Sequence, residues 1–156
     1  MRALAMLPIE GAGMIGVPGT AERMFGALRS AGVSVVMISQ GSSEHSICCV
    51  VRGTDASDAA TALRHAFAAE LARGEIHGVS TVTDVSVLAA VGDGMAGTPG
   101  VAARLLDALA RTGVNIRAIA QGASERNISV AVDMADTRRA LRAAHAAFWL
   151  SPQTLS

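Results

Sequence analysis

Tyrosine is absent from this sequence, and aromatic residues make up only 3% of it. A platform for stacking nucleic-acid bases needs more rings than that. Charge is also sparse and balanced: 13 Lys and Arg stand against 13 Asp and Glu, a formal net charge of zero. Such a balance supplies no field for nucleic acid or for an anionic membrane surface. No apolar run is long enough to cross a bilayer, and the residues show no signal-peptide pattern. Neither nucleic acid nor membrane is therefore an expected partner. Cysteine occurs only as the adjacent Cys48 and Cys49. In a strand these point to opposite faces and cannot easily pair, which fits a reducing cytoplasm.

Catalytic and metal-binding patterns are missing as well. His65, His77 and His145 have no ligand spacing. There is no G-x-x-x-x-G-K-[ST] loop. Ser43-Glu44-His45 holds the ingredients of a hydrolase triad, but three consecutive residues cannot adopt its geometry. No catalytic residue and no metal site are expected.

What the sequence does contain is itself, twice. Residues 11–51 align with 92–132 at a constant offset of 81, without a gap, and 19 of the 41 positions are identical. Chance would give roughly a tenth, even in a chain rich in Ala and Gly. A long unit present only twice indicates two small domains, because a solenoid needs three or more repeats. The expected boundaries are 1–84 for the first unit and 85–156 for the second.

Each unit reads β-α-β-β-α. Ala3–Ile9 and Val85–Val91 are short apolar strands, each followed by a glycine-rich turn and then Pro18 or Pro99 near a helix start. Ala21, Met24, Phe25 and Leu28 recur at helical spacing, as do Ala102, Leu105, Leu106 and Leu109, and Gly32 and Gly113 stop these helices. Val33–Gln40 with Ser46–Val51, and Val114–Gln121 with Asn127–Val132, read as antiparallel hairpins. Asp55-Ala56-Ser57-Asp58 offers capping side chains for a second helix, in which Ala60, Leu63 and Phe67 face one way. Leu141, Ala144 and Phe148 match them in the second unit. Gly78–Asp84 is a candidate last strand for the first unit only. The expected fold is α+β: two ferredoxin-like βαββαβ units in tandem, with helices on one sheet face and the other face free. Either the second unit is cut short or the two units interlock and lend strands to each other.

Gly11-Ala12-Gly13-Met14-Ile15-Gly16 and Gly92-Asp93-Gly94-Met95-Ala96-Gly97 both match G-x-G-x-x-G between strand and helix. A dinucleotide site is not expected, because the acid some 20 residues on is absent: the second strands end in Gln40 and Gln121. What such a loop retains is several N–H groups and a positive helix end facing one point, which suits a small carboxylate. Gln40 and Gln121 offer donors and acceptors together. If Val33, Val35 and Met37 face the helices, Gln40 shares the free face with Ser34, Val36 and Ile38. A structural role, capping the hairpin, is the alternative.

Beyond these derivations, the motifs resemble a known family. Gly13-Met14-Ile15-Gly16-Val17-Pro18-Gly19-Thr20 and Met37-Ile38-Ser39-Gln40-Gly41-Ser42-Ser43-Glu44-His45-Ser46 resemble the first ACT unit of bifunctional aspartokinase–homoserine dehydrogenases. Ala89-Ala90-Val91-Gly92-Asp93-Gly94-Met95 and Ile119-Ala120-Gln121-Gly122 resemble their second, and Phe148–Ser156 resembles the link to the dehydrogenase part. The resemblance implies a regulatory fragment that is not itself an enzyme. It binds an amino-acid end product, L-threonine first and lysine as the alternative, for feedback inhibition. A ligand-free dimerisation module is the rival from another class. Carried over by motif, the effector residues are Gly13, Met14, Gly16 and Gln40, then Gly94, Met95, Gly97 and Gln121. The resemblance also implies pairing of subunits through ACT sheets. No cofactor is implied for this fragment, while ATP with Mg and NAD(P) are implied for kinase and dehydrogenase parts outside it. Ser34 becomes Asn115, His45 becomes Arg126 and Ala12 becomes Asp93 between copies, so the two sites are expected to differ in affinity.

Overall fold

The computed structural model describes residues 3–11, 19–40, 46–91, 101–121 and 127–148. The chain divides into two compact units, Met1–Asp84 and Val85–Ser156. The first contains β1 (Leu4–Glu10), α1 (Thr20–Ser30), β2 (Val35–Gln40), β3 (Ser46–Arg52), α2 (Ala56–Ala66), α3 (Ala68–Ala72) and β4 (Gly78–Val79). Its strands run in the order β2-β3-β1-β4, every neighbouring pair antiparallel. The second contains β5 (Val82–Val91), α4 (Val101–Arg111), β6 (Ile116–Gln121), β7 (Asn127–Asp133) and α5 (Thr137–Phe148), with strand order β5-β7-β6. The fold is α+β, with a ferredoxin-like arrangement in each unit.

The duplication extends to the hydrogen-bond ladder. Leu7 faces Cys49 across β1 and β3, and Leu88 faces Val130 across β5 and β7, each number raised by 81. Both outer hairpin strands carry a bulge at the same place: pairing jumps from Val35 to Met37 in one copy and from Ile116 to Ala118 in the other. A bulge inserts one unpaired residue and shifts the side-chain alternation beyond it. Here the extra residues are Val36 and Arg117. This corrects the facial assignment drawn from strict alternation. Val35 and Ile38 both pack on the helix-side core, while Met37, opposite the buried Val50, lies on the other face. That other face is not bare, since Met6, Met37 and Val50 are buried there.

Three further local expectations change. Phe25 has helical spacing with Met24 and Leu28, yet those two are buried and Phe25 is 43% exposed. Asp55 makes no side-chain cap to α2; a 3-10 turn over Gly53–Asp55 leads into the helix, and the Asp55 carboxylate accepts from Arg52 Nε at 3.1 Å instead. The last strand of the first unit keeps only Gly78–Val79, because the residues from Val82 onward already belong to β5. Gly32 and Gly113 end their helices at φ 75° and 76°, the left-handed conformation that suits glycine.

The helix-side cores centre on Leu7, Ile9, Leu28 and Leu63 in the first unit and on Leu109, Ile128, Val130 and Ala140 in the second. One exchange between them is polar. Where the first unit has Ala5 and Ala56, the second has Ser86 and Thr137, both buried, with their hydroxyl oxygens 2.9 Å apart. Thr137 Oγ1 donates to Met134 O at 2.7 Å, so Ser86 must donate to Thr137. Removing Thr137 would strand the Ser86 hydroxyl. Thr137→Ala is expected to cost about 1–3 kcal/mol in urea unfolding, and adding Ser86→Ala should recover much of that by recreating the Ala5/Ala56 pair. A double variant no more stable than Thr137→Ala would show that the hydroxyl pair is not what stabilises this corner.

Both cysteines are unpaired. Burial pushes the Cys49 thiol up to about 12, with Cys48 beside it adding to the rise. Burial also raises Cys48, against a hydrogen bond from the Ser39 backbone. A thiol near 12 carries about a thousand-fold less thiolate at pH 8 than one at its ordinary 9.0. Thiol-labelling kinetics at pH 8 should therefore find Cys49 protected in the folded chain and Cys48 the faster of the two. The raised value also means that this contribution to stability is complete below pH 9.0 and is lost as pH rises towards 12.

Candidate functional site

In each unit the ladder brings the strand end from which the glycine-rich segment leaves, and the strand-ending glutamine, to the same end of the strands. In the first unit Gln40 stands opposite Ile47, Ile47 opposite Ile9, and Ile9 opposite Val79. In the second, Gln121 stands opposite Ile128 and Ile128 opposite Ala90. Neighbouring strands are about 4.8 Å apart, so the glutamine backbone lies about 10 Å across the sheet from the strand that enters the glycine-rich turn. The chain leaves β1 at Gly11 and returns as α1 at Thr20, behind Gly19 at φ 82°. It leaves β2 at Gln40, so both connections start from the same end of the sheet.

Of the residues singled out from sequence, Gln40 and Gln121 are the terminal residues of β2 and β6. Gly13, Met14 and Gly16 lie outside the described residues, as do Gly94, Met95 and Gly97. The structure thus aligns the two glutamines with the roots of the two turns.

A support that sequence reasoning missed underlies the first turn. After α3 the chain folds back so that Glu75 N and Ile76 N donate to Glu70 O at 2.9 and 3.2 Å. His77 N then donates to Glu10 O at 2.9 Å. Gly11 packs so tightly on this segment that an added Cβ would fall 2.1 Å from Glu75 O. Only glycine permits that approach, so the root of the turn is fixed by backbone against backbone. The Arg73–Glu75 pair flanks the segment at 2.9 Å, and its hydrogen bond holds the Glu75 carboxyl below its ordinary value.

A second overlooked element ties each first helix to the second. Arg23 donates to Ala66 O at 2.8 Å, at the C-terminal end of α2, and its guanidinium lies 4.5 Å from the Phe67 ring centre. It also makes an ionic contact with Glu70 at 2.7 Å. That carboxylate oxygen has no aligned hydrogen-bond donor, so the contact is ionic rather than directional. Arg104 repeats the main strut, donating to Ala147 O at 2.6 Å. Arg23 and Arg104 are identical residues of the repeat, and their 81-residue spacing was the available signal.

The surroundings of the two sites differ in charge. Glu22 lies in the first turn of α1, whereas α4 has no acidic residue in its first turn. The exposed Glu10 ends β1, and its counterpart is Val91. Towards the opposite end of the sheet, at the bulge, Val36 is replaced by Arg117, which pairs with Asp133 through contacts of 2.8 and 3.3 Å. The Arg117 hydrogen bond holds the Asp133 carboxyl below its usual range. Among the described residues no cluster of His, Cys, Asp and Glu could hold a metal ion, and no helix is long and apolar enough to cross a membrane.

Comparison with known proteins matches the duplication. The family described as ACT domain matches residues 7–67 and again 88–148, once more 81 apart. The bifunctional aspartokinase/homoserine dehydrogenase 1 of Zea mays, a chloroplastic protein by name, is 50% identical over 98% of this chain. The bifunctional aspartokinase/homoserine dehydrogenase of Haemophilus influenzae is 42% identical over 94% of it. The chain spans only 17% and 18% of those two proteins. The regulatory subunit of aspartate kinase from Thermus thermophilus, solved ligand-free, shares the fold at a TM-score of 0.74 and 34% identity, covering 94% of both chains. The repeated ladder, the two family matches and near-complete coverage of a dedicated regulatory subunit agree: this chain belongs to the ACT domain family, in the tandem form of aspartokinase regulatory domains.

Proposed function

We propose that this chain is the regulatory part of a bifunctional aspartokinase–homoserine dehydrogenase and that it binds L-threonine for feedback inhibition. The observation that carries the reading is 50% identity to a bifunctional enzyme across 98% of the chain. The ladder supports it, because both copies bring a glutamine and a glycine-rich turn to one end of a sheet. In this reading the effector carboxylate takes the N–H groups of Gly13, Met14 and Gly16, or of Gly94, Met95 and Gly97. Its remaining polar groups meet Gln40 or Gln121.

The catalytic steps belong to parts of the longer protein: ATP- and Mg-dependent phosphorylation of aspartate, and NAD(P)-dependent reduction of the semialdehyde. For threonine to inhibit them, it must bind one arrangement of that protein more tightly than another, and a coupling of ~1–3 kcal/mol is typical. Subunit pairing through ACT sheets is part of the same reading. β2 is an edge strand of its unit and carries no charge from Val35 to Gln40, so nothing on it repels a pairing strand.

Calorimetric titration with threonine, lysine and methionine tests the effector. Heat with threonine alone is the expected outcome; heat with lysine and none with threonine would replace one effector by the other. No heat with any of the three would leave a ligand-free dimerisation module. Gln40→Ala and Gln121→Ala should each weaken one binding phase by roughly 10- to 100-fold, the loss of a charge-assisted hydrogen bond of about 1.5–3 kcal/mol. Unchanged affinity in both variants would remove the glutamines from the site.

A further inference from the structure

The two copies serve as controls for each other: they share a ladder and a core plan, so a local difference on their surfaces reflects what each surface meets. One such difference lies on the outer face of the helix pair. In the first unit α1 and α2 enclose an open groove of about 500 Å³, lined by Arg23, Gly26, Ala27 and Ser30 on one side and Ala62 and Ala66 on the other. At the positions of Gly26 and Ser30 the second unit has Asp107 and Arg111, an exposed i,i+4 ion pair at 2.9 Å. The second unit therefore presents an ordinary solvated helix face and the first does not.

Among the described residues nothing explains Gly26. It sits in the middle of α1, where glycine is the poorest helix former after proline. A Cβ placed on it would meet nothing within 4 Å, so no neighbour among the described residues requires its smallness. Beside it Phe25 is 43% exposed. Glu22 and Arg29 lie on the same side of α1, since residues three, four and seven apart share a helix face. Their counterparts in the second unit, Ala103 and Ala110, carry no charge.

We propose that the α1–α2 face of the first unit packs against the same face of a second copy of this chain. About a two-fold axis at Gly26, the absence of side chains lets the two α1 helices approach closely. Glu22 of each copy then meets the other's Arg29, and Phe25 of each has the opposite groove to fill. An isologous contact of this kind requires a self-complementary patch, and opposite charges four residues before and three residues after a small central residue supply one, while Arg23 on the same face is already held by Glu70 and Ala66 O of its own copy. The second unit cannot use its matching face in this way, because the axis would bring two Asp107 carboxylates together. The contact is small. Helices of 11 residues are ~16 Å long, and two such helices side by side offer far less than the ~800 Å² per partner of a standard interface. It therefore forms a weak association step, beside any pairing through sheet edges, and does not depend on the effector reading.

Sedimentation velocity over a concentration series, on the full 156-residue chain, tests it. Gly26→Asp, the residue of the second copy, should abolish one association step of the wild-type chain. Gly26→Ala should raise the thermal midpoint, because alanine favours the helix, and yet weaken association at least several-fold. Such opposite effects on folding and assembly would not arise from a misfolded variant. Glu22→Arg should also weaken association, and Glu22→Arg with Arg29→Glu should restore it. A wild-type chain that shows no such step, or one whose association Gly26→Asp leaves unchanged, overturns the proposal; the face would then belong to another segment of the longer protein.

Discussion

The antiparallel pairing of β3 with β1, and of β7 with β5, is the constraint on which the other features depend. Because side chains alternate with a period of two, this register decides which residues enter the helix-side core. It sends Ile47, Cys49 and Val51 to that core in the first unit and Ile128, Val130 and Val132 in the second. It also decides what stands at the end of the sheet where the glutamines lie. A shift of one residue would reverse these faces and move the glutamine out of line with the root of the glycine-rich turn. The bulges at Val36 and Arg117 act within this frame, since they let six residues of β2 and of β6 span five of the partner strand and reach the same end in both copies.

The register tolerates considerable chemical change. Ile9 is replaced by Ala90 and Leu63 by Ala144, while Ala60 is replaced by Leu141, so apolar volume moves within the layer more than it disappears. The buried alanines at positions 5 and 56 become a hydroxyl pair at 86 and 137, which is tolerable because each hydroxyl has a partner. The first unit has an additional closing layer. Ile76 and Val79 join its core, and the backbone of Glu75 locks Gly11 in place. Among the described residues, the root of the second turn has no such segment beneath it.

Much of this was legible in the sequence. The gapless repeat predicted two units, the helical and strand periodicities predicted the element order, and the residues ending β2 and β6 were placed correctly as Gln40 and Gln121. Two of the failures share a cause: they depend on contacts that no local pattern carries. A bulge is not visible in a run such as Val35-Val36-Met37-Ile38, where every side chain is apolar and either alternation looks acceptable. Phe25 suits a buried face by spacing alone, and only the packing of Met24 and Leu28 shows that the face is centred elsewhere. The Glu70–His77 segment was invisible for a different reason. At the offset of 81 its counterpart begins at Ser151, outside the described residues, so the duplication had nothing to compare it with. Of the site itself, the sequence disclosed which residue types recur, while their common end of the sheet required the ladder.

Identical ladders do not make equivalent sites. The peptide dipoles of α1 and α4 place similar partial positive charge at their first turns, and both turns start from matching strand ends. In the first unit, however, Glu22 lies within that turn and Glu10 ends the adjacent strand, where the second unit has Ala103 and Val91. Two carboxylates near a helix N-terminus offset the field that would attract an anion, and they favour a cationic group instead. An amino acid carries both charges. Under the proposed reading, its carboxylate therefore has the more favourable field in the second unit and its ammonium group in the first. Under the same reading, divergence after duplication acted on the charges around a shared strand ladder, and the two sites are expected to differ in affinity.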